Sequence, residues 1–414
     1  MTSVHAVTAA IVCVMLGGSP AASAQARYRA TQTGDIVELQ DTRTQLVVNV
    51  LTTASNAYRM TVKGEDVIRR TWASIDDIRG RMGLNGIPLL WPYANRLDEQ
   101  AFYANGQKYT FDPGIGNTGR GAVPMHGFLT NATAWKLIEA KSDAKSAWVT
   151  TKLDFFRIPQ YMTQFPFAHT LTMTYRVEDG ALEVHTRIDS MTAEPMPVAI
   201  GFHPYFQLTE SNREEWHLSV AAKTHWLLDE RTLPTGETEP ITKILPDPKN
   251  VAVKDVTLDD IFSDLERDER GLATMSLKGK SQQVDVVLGP KFKTILVLSR
   301  VGGGRGGGRG GQAPAGAPGA ASSPAPGSAA NAAPAPQNAG AASPAPATPQ
   351  NAGGGRGAPP NPNAPPPRGS VAFEPMAGIS NSMNLAQKGL YKELQTIEPG
   401  GFWEESFWVR PKGY

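Results

Sequence analysis

Two proline-flanked side chains with opposite proton affinities stand out in this chain. His203 ends the apolar run 197–202 and is followed by Pro204, while Glu374 ends a second apolar segment and is followed by Pro375. An imidazole held where a strand meets a loop is well placed for proton transfer near neutral pH. A carboxylate in an apolar setting has its charged form disfavoured, which raises its pKa toward that of a useful general base. The two side chains therefore form an acid and base pair if the fold brings them together. Taken alone, His203 also fits a histidine that caps a sheet edge.

Two further segments carry polar groups that suit ligand binding. Asn95 and Arg96 follow an apolar run broken by a proline, and a guanidinium there can make a forked contact with vicinal oxygens. A structural salt bridge is the alternative interpretation of Arg96. His126 lies beside Gly127, where a ligand can approach the backbone closely, and a satisfied loop histidine is the alternative.

Asp259 and Asp260 form a pair of adjacent carboxylates within the apolar segment 258–262. Paired carboxylates can share acid and base roles or orient a polar ligand. Solvated turn residues are the default interpretation of such a pair.

Short strands separated by turn residues must position these groups. Residues 28–300 contain repeated apolar and β-branched runs with turn signals between them, and long amphipathic helical periodicity is scarce. Clear examples of such runs are 36–39, 45–50, 170–175 and 284–288. This pattern predicts an all-β protein, a large sandwich or barrel, rather than alternating βαβ units.

The N-terminus predicts export. Residues 6–16 are apolar and are followed by Gly-Gly-Ser-Pro and then by the small-residue site Ala22-Ser23-Ala24. We therefore expect a signal peptide over residues 1–24 and a periplasmic or secreted protein. The apolar stretch is too short to span a bilayer, so no membrane insertion is expected.

Composition excludes several classes of function. The sole cysteine, Cys13, lies inside the predicted signal peptide, so disulfides, thiolate metal sites and cysteine nucleophiles are not expected in the mature chain. The formal net charge is +1, which provides no electrostatic footprint for nucleic acid.

Residues 302–370 differ sharply from the rest of the chain. Gly, Pro, Ala, Ser, Asn and Gln dominate there, and Pro-Gln-Asn-Ala-Gly occurs at both 336–340 and 349–353. Such a segment buries too little apolar surface to offset the entropy of ordering, which predicts a disordered insertion. We expect residues 25–301 and 371–414 to form a single domain around it, because the cost of loop closure grows slowly with length. On this interpretation the strands on either side of the insertion are consecutive.

Together these motifs resemble the aldose 1-epimerases, also called galactose mutarotases, over nearly all of the chain between the signal peptide and the insertion and again after it. The segments that carry the resemblance, in chain order, are 95–97, 105–109, 126–128, 165–167, 196–198, 203–206, 258–262, 374–376 and 399–400. The resemblance implies a large antiparallel β-supersandwich of the galactose-mutarotase-like type. It also implies an isomerase that interconverts the α and β anomers of an aldose.

The same resemblance implies roles for individual residues. Glu374 matches the general base that removes the proton from the C1 hydroxyl, and His203 matches the general acid that protonates the ring oxygen. The groups that would hold sugar hydroxyls or assist the acid are Arg96, His126, Asp259 and Asn95. The implied partner is an aldohexose monosaccharide, with no metal or organic cofactor, and the oligomeric state stays open.

One departure from the family pattern leaves alternatives open. Pro204 stands where the best-known galactose mutarotases have a small polar residue, which is more similar to the hexose-6-phosphate 1-epimerase branch. The predicted export and the lack of a dense basic cluster near the matched positions argue against phosphorylated sugars. A non-catalytic carbohydrate-binding protein of the same superfold is a third interpretation. The presence of both His203 and Glu374 favours catalysis over binding alone.

Overall fold

The computed structural model describes residues 26–112, 114–117, 123–300 and 369–414. The signal peptide predicted for residues 1–24 and residues 302–368 of the predicted insertion lie outside the described residues. The domain boundaries that depend on them therefore stay predictions.

The described residues form an almost entirely β structure. In chain order the first strands are β1 (Tyr28–Thr33), β2 (Ile36–Asp41), β3 (Leu46–Leu51), β4 (Asn56–Val62), β5 (Glu65–Asp66), β6 (Leu89–Leu90), β7 (Ala101–Ala104), β8 (Gln107–Thr110), β9 (Lys136–Ser142), β10 (Ala147–Leu153), β11 (His169–Glu178) and β12 (Ala181–Ser190). The later strands are β13 (Met196–Val198), β14 (Gly201–Phe202), β15 (Tyr205–Phe206), β16 (His217–Ser219), β17 (Ala222–Leu228), β18 (Pro234–Pro240), β19 (Val251–Ala252), β20 (Leu258–Leu265), β21 (Ala273–Lys278), β22 (Gln283–Leu288), β23 (Thr294–Ser299), β24 (Val371–Met376), β25 (Gln395–Ile397) and β26 (Phe402–Lys412).

The helices are short. The two α-helices, α1 (Pro159–Gln164) and α2 (Ser382–Gln387), have six residues each. Single 3₁₀ turns lie at Ile75–Asp77, Phe155–Arg157, Arg213–Glu215, Ile241–Lys243 and Val253–Asp255. Within the described ranges, no helix is long and apolar enough to cross a membrane.

The hairpin of β11 and β12 shows how local sequence determines these strands. Both strands alternate between buried and half-buried residues, because successive side chains of a strand point to opposite faces. Asp179 and Gly180 connect them with φ angles of 44° and 73°. Two successive residues with positive φ match the right-handed twist of a two-residue hairpin, and Asp-Gly is a preferred sequence for it.

Three sheets form the layers of the molecule. A nine-stranded sheet has the order β19-β16-β21-β22-β26-β12-β11-β10-β9, and a five-stranded sheet of β1 to β5 packs on its β9 to β11 end. An eight-stranded sheet has the order β18-β17-β20-β23-β24-β14-β6, with β15 also paired to β24. It packs on the β26 side of the large sheet, where Phe202 and Phe407 have ring centroids 4.9 Å apart.

One apolar core joins the sheets. Val48 of the five-stranded sheet, Met173 of the nine-stranded sheet and Phe373 of the eight-stranded sheet belong to the same buried cluster. Each fully buried side chain of this size stabilises the fold by about 1.5–3 kcal/mol through removal of apolar surface from water.

The two chain segments on either side of the predicted insertion meet in the eight-stranded sheet. β23 and β24 are antiparallel neighbours, with Leu296 opposite Glu374. The C-terminal β26 lies inside the nine-stranded sheet, between β22 and β12. The C-terminal segment therefore contributes strands to both large sheets.

Candidate active site

A break between β14 and β15 places His203 against β24. β14 pairs with β24 at Met376 and β15 pairs with it at Ala372. His203 and Pro204 lie between the two short strands, and the proline removes a backbone donor that regular pairing would need. His203 therefore faces the middle of β24, where Glu374 lies.

The segment before His203 is more deeply buried than its alternation predicts. Val198, Ile200 and Phe202 alternate along the chain as in a half-buried strand, whereas every residue of 196–202 is buried. The segment divides into β13, which pairs with β25, and β14, which lies between β6 and β24. A methyl group added at Gly201 would stand only 2.6 Å from Cβ of Ala94, so both faces of the segment are covered by protein.

His203 and Glu374 are in direct contact. Nε2 of His203 lies 2.9 Å from Oε1 of Glu374, and the two side chains are 4% and 1% exposed. Among the described residues, Oε2 of Glu374 and Nδ1 of His203 have no hydrogen-bond partner. Burial raises the pKa of the Glu374 carboxyl, and its attraction to His203 offsets only part of that rise. The pair combines an imidazole with a carboxylate whose proton affinity is increased.

His126 lies beside this pair. Its ring meets the His203 ring edge to face, with centroids 5.1 Å apart. Burial lowers the pKa of His126 well below its usual value, and the nearby positive charges of His203 and Arg96 lower it further. His126 is therefore a neutral imidazole near pH 7, and its buried Nδ1 has no partner in the described part of the chain.

Asn95 and Arg96 form a polar edge of the same site. The backbone N–H of His126 donates to the Asn95 carbonyl at 2.7 Å, which ties the two segments together. Nη1 of Arg96 donates to Oδ1 of Asn95 at 2.8 Å, and Nη2 of Arg96 lies 3.6 Å from Oδ2 of Asp259. Arg300 donates to the same Oδ2 at 2.7 Å. Asn95 and Asp259 thus hold the Arg96 guanidinium from two sides.

The default interpretation of Asp259 and Asp260 as solvated turn residues is wrong. Both lie within β20, where Asp260 is 3% exposed and Asp259 is half-buried. Neighbouring residues of a strand point to opposite faces, so the two carboxylates serve different surroundings. Asp259 shares the face of Glu374, and Asp260 lies on the other face of the sheet.

Asp260 belongs to a second histidine–carboxylate cluster that the sequence analysis did not identify. Nε2 of His225 lies 3.1 Å from Oδ1 of Asp260, and Nδ1 of His225 lies 3.0 Å from Oε1 of Glu239. Burial acts to lower the pKa of His225, but the two carboxylates outweigh it and the pKa is raised. His225 is directly opposite Glu239 across β17 and β18, a pairing that sequence patterns do not specify.

Gly127 allows close packing against the backbone of Trp91 and leaves no space for a ligand. A Cβ at this position would lie 2.0 Å from the carbonyl oxygen of Trp91, and the residue has a φ of +58°. The space beside its Cα is therefore filled by the backbone of Trp91, so our expectation of a ligand there is wrong.

Three groups near the pair were absent from the predicted site. The Tyr205 ring lies 4.8 Å from the His203 ring, and Cζ of Arg69 lies 3.6 Å from the centroid of the Tyr205 ring. Arg300 joins through Asp259. Tyr205 was visible in the segment 203–206, but no local pattern distinguishes Arg69 or Arg300 from other arginines.

A surface depression elsewhere does not contain these groups. It has a volume of about 430 Å³ and lies on the outer face of the nine-stranded sheet, beside Arg176, Glu183 and Trp408. None of the predicted site residues lines it. Buried reactive groups, and not the shape of this cavity, locate the candidate site.

Comparison with known proteins agrees with this assignment of the fold. The profile of the family described as aldose 1-epimerase matches residues 62–284, more than half of the chain. This range includes Arg96, His126, His203 and Asp259, while Glu374 lies beyond it.

Solved structures of low sequence identity share the whole architecture. A galactose mutarotase-like protein from Clostridium acetobutylicum has 17% identity and a TM-score of 0.68, with 94% of this chain and 98% of that chain covered. Galactose 1-epimerase from Lactobacillus acidophilus has 13% identity and a TM-score of 0.60, with 94% and 98% covered. An aldose epimerase homologue from C. elegans has 14% identity and a TM-score of 0.60, with 90% and 97% covered. The predicted all-β, galactose-mutarotase-like supersandwich is confirmed.

Proposed function

The chain belongs to the aldose 1-epimerase family, and we propose that it interconverts the α and β anomers of a free aldose by acid–base ring opening. The observation that carries this proposal is the buried contact of 2.9 Å between His203 and Glu374. In a cyclic aldose the C1 hydroxyl oxygen and the ring oxygen are bonded to the same carbon. An acid and a base that act on them must therefore be close neighbours, as these two side chains are.

The proposed reaction conserves protons at each stage. The Glu374 carboxylate takes the proton of the C1 hydroxyl, the C1 to ring-oxygen bond breaks as the carbonyl forms, and protonated His203 gives its proton to the ring oxygen. Rotation about the C1–C2 bond presents the other face of the carbonyl. Ring closure then returns a proton from Glu374 to O1 and a proton from the ring hydroxyl to His203. A positioned acid or base contributes about 10²–10⁴-fold to such a step.

The surrounding groups suit a polyhydroxylated ligand. Arg96 and Asp259 offer charged donors and acceptors at the half-buried edge of the site, and Asn95 orients the guanidinium. Neutral His126 presents an unpartnered ring nitrogen next to His203. We assign all four residues to substrate binding as part of this proposal. Export through residues 1–24 is a further part of it and favours unphosphorylated sugars.

The test is the rate at which pure α-glucose and α-galactose reach anomeric equilibrium, followed by polarimetry or NMR. Glu374→Gln is expected to reduce kcat/KM by about 10²–10⁴-fold. Glu239→Gln is the matched control, because it makes the same change on the opposite face of the sheet, and it should stay within about threefold of wild type. If wild type equilibrates these sugars no faster than Glu374→Gln, the catalytic proposal fails for neutral hexoses and the carbohydrate-binding alternative is favoured.

A further inference from the structure

Arg69 extends the row of reactive groups beyond His203. Its backbone N–H donates to the carbonyl of Tyr205 at 2.8 Å, which fixes it beside β15. Its guanidinium carbon lies 3.6 Å from the centroid of the Tyr205 ring, and the other neighbour of that ring is His203 at 4.8 Å. Each of these four residues therefore contacts the next, in the order Glu374, His203, Tyr205 and Arg69.

The Arg69 guanidinium is half-buried and lacks an acidic partner. Within the described part of the chain its charge interacts with Tyr205 and with no carboxylate, and burial lowers its pKa. The nearby Asp66 is paired with Arg59 and Arg70 instead. A desolvated cation without a counterion is costly to the fold, and a bound anion would relieve that cost.

The pairing of charges around the site also identifies Arg69 as a guanidinium without an acidic partner among the described residues. Three guanidinium groups, those of Arg69, Arg96 and Arg300, face two carboxylates, those of Asp259 and Glu374. Asp259 already contacts both Arg96 and Arg300. Glu374 is paired with His203, so among the described residues Arg69 is the one guanidinium of the three that contacts no carboxylate.

The covalent structure of a pyranose maps onto this order. The base acts at O1, and the acid acts at the ring oxygen, which is bonded to C1 on one side and to C5 on the other. The C6 substituent is attached to C5 and therefore lies beyond the ring oxygen as seen from O1. In the protein, contacts lead from Glu374 to His203, from His203 to Tyr205 and from Tyr205 to Arg69, and on this basis we place the C6 group at the Arg69 guanidinium.

We propose that the sugar acted on here is a hexuronate, whose C6 carboxylate is bound by Arg69. This inference rests on the proposed function and names its substrate class. A guanidinium matches a carboxylate with two parallel hydrogen bonds. The single charge of the Arg69 guanidinium balances one carboxylate, whereas a phosphate monoester carries about −1.5 to −2 at pH 7 and would need a second cation at the same position. The hexuronate is an unphosphorylated aldose with a free C1 hydroxyl and undergoes the same ring opening.

The experiment compares galacturonate and glucuronate with galactose, glucose and glucose 6-phosphate as substrates of the full-length protein in the anomerisation assay. Wild type is expected to have a kcat/KM at least about tenfold higher for a hexuronate than for the neutral hexose of the same configuration. Arg69→Gln should reduce that ratio by about tenfold or more, and Arg69→Lys should retain part of it. Arg187→Gln is the matched control, because Arg187 stacks 3.7 Å from the centroid of Phe402 on a distant sheet, and its ratio should equal that of wild type.

Binding of galacturonate, measured by calorimetry for the same proteins, separates the two proposals. Turnover of glucose without a preference for hexuronates overturns the hexuronate assignment and leaves epimerase activity intact. Arg69-dependent binding of galacturonate without turnover of any sugar supports the hexuronate assignment and overturns the catalytic proposal. A preference for glucose 6-phosphate over both hexuronates overturns the assignment, as does a wild-type ratio that Arg69→Gln leaves unchanged.

Discussion

Two histidine–carboxylate clusters lie on opposite faces of the eight-stranded sheet. In the first, His203 contacts Glu374 through one nitrogen, and the other nitrogen and the second carboxylate oxygen have no partner in the described residues. In the second, both nitrogens of His225 contact carboxylates, one from Asp260 and one from Glu239. Within the described residues, the hydrogen-bonding groups of the first histidine–carboxylate cluster are thus only partly paired, whereas both ring nitrogens of the histidine in the second cluster are paired.

Under the proposed function, this difference distinguishes a catalytic pair from a structural one. The pKa of Glu374 is raised because burial dominates over its single partner, so the folded protein holds a carboxylate with increased proton affinity. The pKa of His225 is raised because two carboxylates overcome its burial, so folding favours the charged imidazole that links neighbouring strands. Unmet hydrogen-bonding capacity in a buried group favours a catalytic role, because a substrate can supply the missing partners.

The largest expected difference is in activity. His203→Asn should reduce kcat/KM for anomerisation by about 10²–10⁴-fold, because the ring oxygen loses its proton donor. His225→Asn, assayed where circular dichroism shows that it is folded, should stay within about threefold of wild type. Equal losses in both variants would show that the clusters do not differ in function.

For the free energy of unfolding we expect the larger loss in the second cluster, that of His225. His225→Asn is expected to reduce the free energy of unfolding by about 3 kcal/mol at pH 6, because it leaves buried Asp260 without its partner. The pKa of His225 is raised in the folded state, so its contribution is complete below the ordinary histidine pKa and is lost as pH rises through the raised value. The cost measured by denaturant unfolding should therefore be smaller at pH 9. The half-exposed His185 provides the control, since His185→Asn should cost less than about 0.5 kcal/mol.

The pH dependence of activity tests the raised pKa of Glu374. The base must be ionised, so kcat/KM should fall about tenfold per pH unit below its pKa. That acidic limb should have its midpoint above about 4.3, the ordinary glutamate value. As a control, the protein should keep its near-ultraviolet circular dichroism at the same pH, which excludes unfolding as the cause of the loss. A midpoint at or below the ordinary glutamate pKa would contradict the role of burial.

The smallest expected effect is a gain in stability. Because the pKa of Glu374 is higher in the folded than in the unfolded state, its stabilising contribution is complete below the ordinary glutamate pKa and is lost as pH rises through the raised value. Glu374→Gln should therefore unfold at a higher denaturant concentration than wild type at pH 8, with no such gain near pH 4. A less stable Glu374→Gln at pH 8 would show that the contact with His203 outweighs burial.

Local chemistry made part of this site predictable. His203 and Glu374 were identified because each ends an apolar segment before a proline, and the strands that carry them follow from β-branched and apolar runs. The partnership of Asp259 with Arg96 and Arg300 was not predictable, since it depends on the pairing of β20 with β23. Arg69 was missed for the same reason: its position in the site follows from its backbone bond to Tyr205, and nothing in its neighbouring residues indicates that bond.

The sequence by itself determined the β character of the chain, the choice of His203 and Glu374 as candidate acid and base, and the consecutive order of β23 and β24. Those features depend on the propensity, periodicity and chemistry of residues close together in the chain. Only the tertiary structure decided that His203 and Glu374 are in contact and that Asp259 and Asp260 lie on opposite faces of the sheet. It alone also decided that Arg69 has no carboxylate partner among the residues that the structure describes. These outcomes depend on strand register and on burial, because both are set by contacts between residues far apart in the sequence.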